Sequence, residues 1–79
     1  MPNTSDITSA IEKALNQKHG TVKESTQAKD IPDWDSLGQL SVLVALDKIF
    51  SGKIAGLTEM AEADSVPKII SILKKNSLL

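Results

Sequence analysis

The chain has no cysteine, no arginine and no tyrosine, and its aromatic residues are limited to Trp34 and Phe50. Without cysteine, neither a disulfide nor a thiolate zinc site can reinforce the fold, and stability must come from apolar packing. That packing has to be aliphatic, because Leu, Ile, Val and Ala are plentiful and rings are scarce. With arginine absent, nine lysines face ten acidic residues and the formal net charge is -1. A basic excess of the kind nucleic-acid binding requires is therefore missing. No run approaches the roughly 18 apolar residues that span a bilayer. The start, MPNTSDITSAIEK, has neither a basic beginning nor an apolar core, so no leader is read there. A cytoplasmic monomer without membrane insertion is the expectation, and 79 residues suit one domain, 1–79.

What the chain does have is helical periodicity. From Ser5 to Lys18 the residues Ile7, Ala10, Ile11, Ala14 and Leu15 recur at the spacing that gathers them on one side of a helix, which His19-Gly20 should end. Thr21 to Asp35 shows no period and reads as a long loop, tacked down by Val22, Ile31 and Trp34. Asp35 or Ser36 can cap a second helix running to about Phe50. Its Leu40, Val42, Leu43, Leu46, Ile49 and Phe50 cover more than half the circumference, which places it centrally. Ser51-Gly52 breaks that pattern, and Ile54 should anchor the link that follows.

Thr58 can cap a short third helix over Glu59 to Ala63, with Leu57 and Met60 inward. Asp64-Ser65 ahead of Pro67 starts a fourth, with Val66, Ile69, Ile70, Ile72 and Leu73 inward and Lys74-Lys75 at its negative end. Nothing alternates with period two. The expected fold is all-α: a small four-helix bundle of three main helices and one short one, with the longest loop between the first and second.

For catalysis the chain offers one histidine, no Gly-rich phosphate loop and no helix-spaced metal pair. His19 should be a surface residue, and neither an enzyme nor a metal site is expected. The informative segment runs from Asp33 to Leu40. A serine at the start of a buried helix, behind a long loop, exposes its hydroxyl while the helix stays fixed. A phosphodiester there would face free N–H groups and the positive end of the helix dipole. Asp35 next door opposes this, so its presence calls for another explanation.

Asp35-Ser36-Leu37, followed by Leu40, Leu43, Leu46 and Phe50, resembles the phosphopantetheine-attachment segment of acyl carrier proteins. The resemblance implies a single carrier domain that makes no bonds itself. Ser36 would be its attachment site, flanked by Asp35 and Leu37, with 4'-phosphopantetheine as covalent cofactor. A phosphopantetheinyl transferase would install the arm from coenzyme A. A ligase would load acyl or aminoacyl cargo as a thioester, and an acyltransferase or synthase would take it. This is the phosphoprotein chemistry of fatty acid and other lipid metabolism, or of secondary-metabolite biosynthesis.

Leu37, Ser41, Val44 and Lys48 fall on one narrow stripe beginning beside Ser36. The resemblance makes this the partner-docking face, with Leu37 and Val44 partly exposed and acidic residues around them. Asp47 and Glu59 belong to that expected surface, together with Asp30, Asp33, Asp35, Glu62 and Asp64. No lysine lies between Asp30 and Asp47 in sequence, and none close to Glu59, Glu62 and Asp64, so they should form an acidic side that steers basic enzymes.

Gly38, Ser41 and Lys48 depart from the strongly acidic second helix of many fatty acid carriers, which points to a specialised carrier with a dedicated partner. Cargo stays open among fatty acyl, hydroxyacyl, polyketide and aminoacyl or D-alanyl groups. An acyl chain could shelter among the second, third and fourth helices. Trp34 either covers the end of the bundle or meets a partner, and packing is favoured for so large a ring. The alternative function is an unmodified helical interaction module in which Ser36 is a plain cap.

Overall fold

The structure, a computed structural model, describes residues 2–79, so Met1 of the expected 1–79 domain lies outside the described residues. Helix α1 spans Thr4–Ala14 and opens on a reciprocal cap. Asn3 Oδ1 accepts the Asp6 N–H, and Asp6 Oδ2 accepts the Asn3 N–H, both at 2.9 Å. Ile7, Ile11 and Leu15 are buried, with Ala10 and Ala14 packed against the same core.

The helix stops at Ala14 rather than Lys18. Asn16 turns left-handed (φ 55), and the Asn16 and Gln17 amides fold back onto the carbonyls of Lys13 and Glu12 at 3.2 and 2.8 Å. This paired arrangement satisfies the last free carbonyls, a role the sequence had suggested for Gly20. The same ending closes the other two helices, at Ser51 (φ 55) and Ser77 (φ 60). There Gly52 N–H donates to Asp47 O and Leu78 N–H to Leu73 O, both at 2.8 Å.

Glu12 is charged yet buried, and its Oε2 accepts the N–H groups of Gly20 and Val22 at 2.8 and 3.0 Å. One carboxylate thus fastens the start of the loop to α1. Glu12→Ala leaves both amides without their acceptor, and a loss of about 2 to 3 kcal/mol is expected in urea unfolding. Glu12→Gln keeps an acceptor oxygen and should lose less than half as much; equal losses would mean the amides are not what Glu12 serves.

Val22, Ile31 and Trp34 are buried, so the long loop is tacked down where the sequence suggested. It also contains a 3₁₀ turn, Ala28–Asp30, that the absence of periodicity concealed. A lone antiparallel bridge joins Gln27 to Ser65, with Ala28 N–H donating to Asp64 O at 2.7 Å and Val66 N–H to Thr26 O at 2.9 Å.

Helix α2 spans Ser36–Ile49. Val42, Leu46 and Phe50 are buried, and Leu43 and Ile49 pack partly against them. Leu40, expected in the core, is 61% exposed. Two residues along a helix is a rotation of about 200°, so Leu40 and Val42 point to nearly opposite sides and only one can face the core.

The expected short third helix is a 3₁₀ turn, Thr58–Glu62, and Leu57 rather than Thr58 stands at its cap position with no side-chain cap. Its Met60 and Ala63 amides bond three residues back, at 3.0 and 3.1 Å, because a single turn closes more readily that way. Met60 is buried as expected. The fold is therefore all-helical with three α-helices among the described residues, not four.

Helix α3 spans Val66–Lys75, with Ser65 Oγ accepting the Lys68 N–H at 3.2 Å and Pro67 in the first turn. Val66, Ile69 and Leu73 are buried, while Ile70 and Ile72 are only partly so. A contiguous aliphatic cluster links the three helices, the loop and Ile54. Among the described residues no helix is long and apolar enough to cross a membrane.

Candidate functional site

The cap of α2 is Asp35, whose Oδ1 accepts the Gly38 N–H at 2.9 Å. Ser36 is the first helical residue, is exposed, and makes no side-chain hydrogen bond among the described residues. The choice left open between the two residues thus falls on Asp35, and Ser36 is not a helix cap. Asp35 also acquires a reason to be there: it holds the helix start, which leaves the neighbouring hydroxyl unengaged.

Three contacts keep that helix start in place. Gly38 lies against the loop so closely that a Cβ there would overlap the Asp33 carbonyl oxygen and come within 2.9 Å of Leu15 Cδ2. Trp34 is buried, as packing predicted, and its Nε1–H donates to Gln39 Oε1 at 2.6 Å. Gln39 Nε2 in turn donates to the carbonyls of Met60 and Ala63, each at 3.1 Å. Gln39 therefore ties loop, α2 and the second 3₁₀ turn together beside Ser36. Sequence reasoning missed it; the one available signal was a long polar side chain one turn after a tryptophan.

The predicted stripe does come together. Leu37, Ser41, Val44 and Lys48 line an open groove of about 1030 Å³ between α1 and α2, joined by Leu40, Ala10 and Lys13. Leu37 is 77% and Val44 52% exposed, so neither is core. Two smaller hollows flank α2. One of about 400 Å³ lies against Leu43, Ile54, Leu57 and Met60. The other, of about 420 Å³, adjoins Ser36 between Trp34, Gln39 and Glu62.

Most of the expected acidic side is turned to internal use. Asp47 Oδ1 accepts the Ile54 and Ala55 N–H groups at 3.0 and 3.1 Å. Asp33 accepts from Gln17 Nε2 and Asp30 from the Gln27 N–H, both at 3.0 Å. Glu59 and Asp64 are not clear of lysine, because α3 brings Lys75 to 2.9 Å from Glu59 and Lys68 to 2.8 Å from Asp64. Hydrogen bonds from Lys75, and then Asn76, lower the pKa of Glu59; the bond from Lys68 does the same for Asp64. His19 is exposed, with Nδ1 3.6 Å from Glu12 Oε1.

No family model, curated protein or solved structure matches the chain.

Proposed function

We propose that the protein is a carrier of the acyl carrier type, with Ser36 as the attachment point for 4'-phosphopantetheine. The observation that carries this is the exposed Ser36 hydroxyl, free of hydrogen bonds among the described residues, on the first residue of a firmly held helix. The N-terminus of α2 offers a positive dipole end to a phosphodiester, which favours an anion at that place. Asp35 works against it by charge, but its carboxylate is shared with the Gly38 N–H. Ser36 would hold the arm by its Oγ, and Leu37 beside it would meet the enzyme that docks there. When attached, the arm supplies the thiol that bears cargo as a thioester, which suits a chain with no cysteine of its own.

On this reading the protein makes no bonds itself; a ligase loads it and an acyltransferase or synthase unloads it. The three α-helices and the 3₁₀ turn stand in the order the resemblance implies for its four helices. The hollow against Leu43, Ile54, Leu57 and Met60 would shelter a short acyl chain. Incubating the apo protein with coenzyme A and a broad-specificity phosphopantetheinyl transferase should add one arm, mapped by peptide mass spectrometry to Ser36. A chain left unmodified by several such enzymes would instead be the helical interaction module.

A further inference from the structure

We infer that the groove between α1 and α2 receives an amphipathic helix whose apolar face is edged with acidic residues. This rests on the carrier reading in assigning that helix to an enzyme that serves Ser36. The apolar floor is laid bare: Leu37, Leu40 and Val44 are 77%, 61% and 52% exposed. Three large aliphatic side chains in a row on one helix are more than the scattered apolar exposure of an ordinary surface. From Leu37 to Lys48 the stripe is about 16 Å long, matching roughly three turns of a partner helix. On the α1 side Ala10 and Ala14 line the groove, and their small side chains let another backbone come close.

Charge decides the chemistry of the occupant. Lys13 and Lys48 line the groove and are exposed, and neither has an ion-pair partner among the described residues. Asp6, the acidic residue of the lining, is engaged with the Asn3 N–H. Asp47 on α2 is spent on the Ile54 and Ala55 amides. The available charge is therefore positive, the reverse of the basic-partner steering that the acidic residues had suggested. A second copy packed face to face would bring these lysines toward their own kind, since a two-fold interface repeats the same patch. A bilayer takes protruding apolar side chains rather than a concave slot.

The test is a selection from a displayed library of helical peptides about three turns long, panned on the unmodified full-length chain and on Ser36→Ala. Each peptide carries Leu, Ile, Met or Phe on one face and random Glu, Ser or Lys along the edges. Enriched peptides should carry Glu at the edges and shift backbone amides of residues 10–14 and 37–48. They should bind the Lys13→Glu/Lys48→Glu double variant about tenfold more weakly at low salt, and that variant should select Lys edges instead. Leu40→Ser, at an exposed position, should lose binding while its circular dichroism stays the same.

Basic or neutral edges, no enrichment, or shifts elsewhere would overturn the inference. So would a groove-dependent dimer in sedimentation, or tighter binding to phosphatidylserine vesicles than to any peptide. Because the chain is panned without its arm, the two readings fail separately. A protein that no transferase modifies but that still selects acidic helices is no carrier yet keeps its groove. One that is modified but selects basic edges fails only here.

Discussion

Ser36→Ala, treated with coenzyme A and a phosphopantetheinyl transferase, should stay at the mass of the unmodified chain while melting within about 3 °C of the parent. The two halves of that result have separate causes. Modification is lost entirely because the one oxygen placed to accept the arm is gone. Stability is kept because Ser36 is exposed, has no side-chain hydrogen bond among the described residues, and leaves capping to Asp35. Asp35→Ala makes the informative control: it should still be modified, yet lose about 1 kcal/mol with its cap. If Ser36→Ala still gained an arm, the site would lie elsewhere, with exposed Ser41 the next hydroxyl along α2.

Gly38→Ala sets two effects against each other. Inside a helix alanine is favoured over glycine by about 1 kcal/mol, so propensity alone predicts a gain. Packing predicts the opposite, because the new methyl would meet the Asp33 carbonyl and Leu15. Overpacking of this kind costs about 1 to 3 kcal/mol, and a backbone carbonyl cannot swing aside as a side-chain tip can. A net loss of about 2 kcal/mol is expected in denaturant unfolding, with a melting temperature lower by roughly 10 °C. An unchanged or raised midpoint would show that the Asp33 loop gives way, and that Gly38 does not hold the approach to Ser36.

The fold was legible wherever local chemistry and periodicity agreed. Ser65 ahead of Pro67 marked the start of α3, and the run from Leu43 to Phe50 marked α2 as central. Periodicity failed where it counted apolar residues without direction. It set Leu40 inward with Val42, although helical rotation sends the two to opposite sides. It also carried α1 to the nearest glycine, when Asn16 had already turned the chain.

At the site, Ser36 and the Leu37–Val44 stripe could be read because they depend on spacing within one helix. What escaped were groups defined by distant partners. Gln39 acquires its meaning from Met60 and Ala63, Glu12 from Gly20 and Val22, and Glu59 from Lys75. Neighbouring charges along the chain could not show that α3 would lay its lysines across the acidic residues.

The three left-handed helix endings set the protein's thermal ceiling at its corners. Asn16, Ser51 and Ser77 each hold a conformation that disfavours a side chain by roughly 1 kcal/mol. Together that is a sizeable share of the margin of about 5 to 15 kcal/mol that separates folded from unfolded domains. All three are exposed and none lines the groove, so heat tolerance could be retuned there while the face around Ser36 stays as it is.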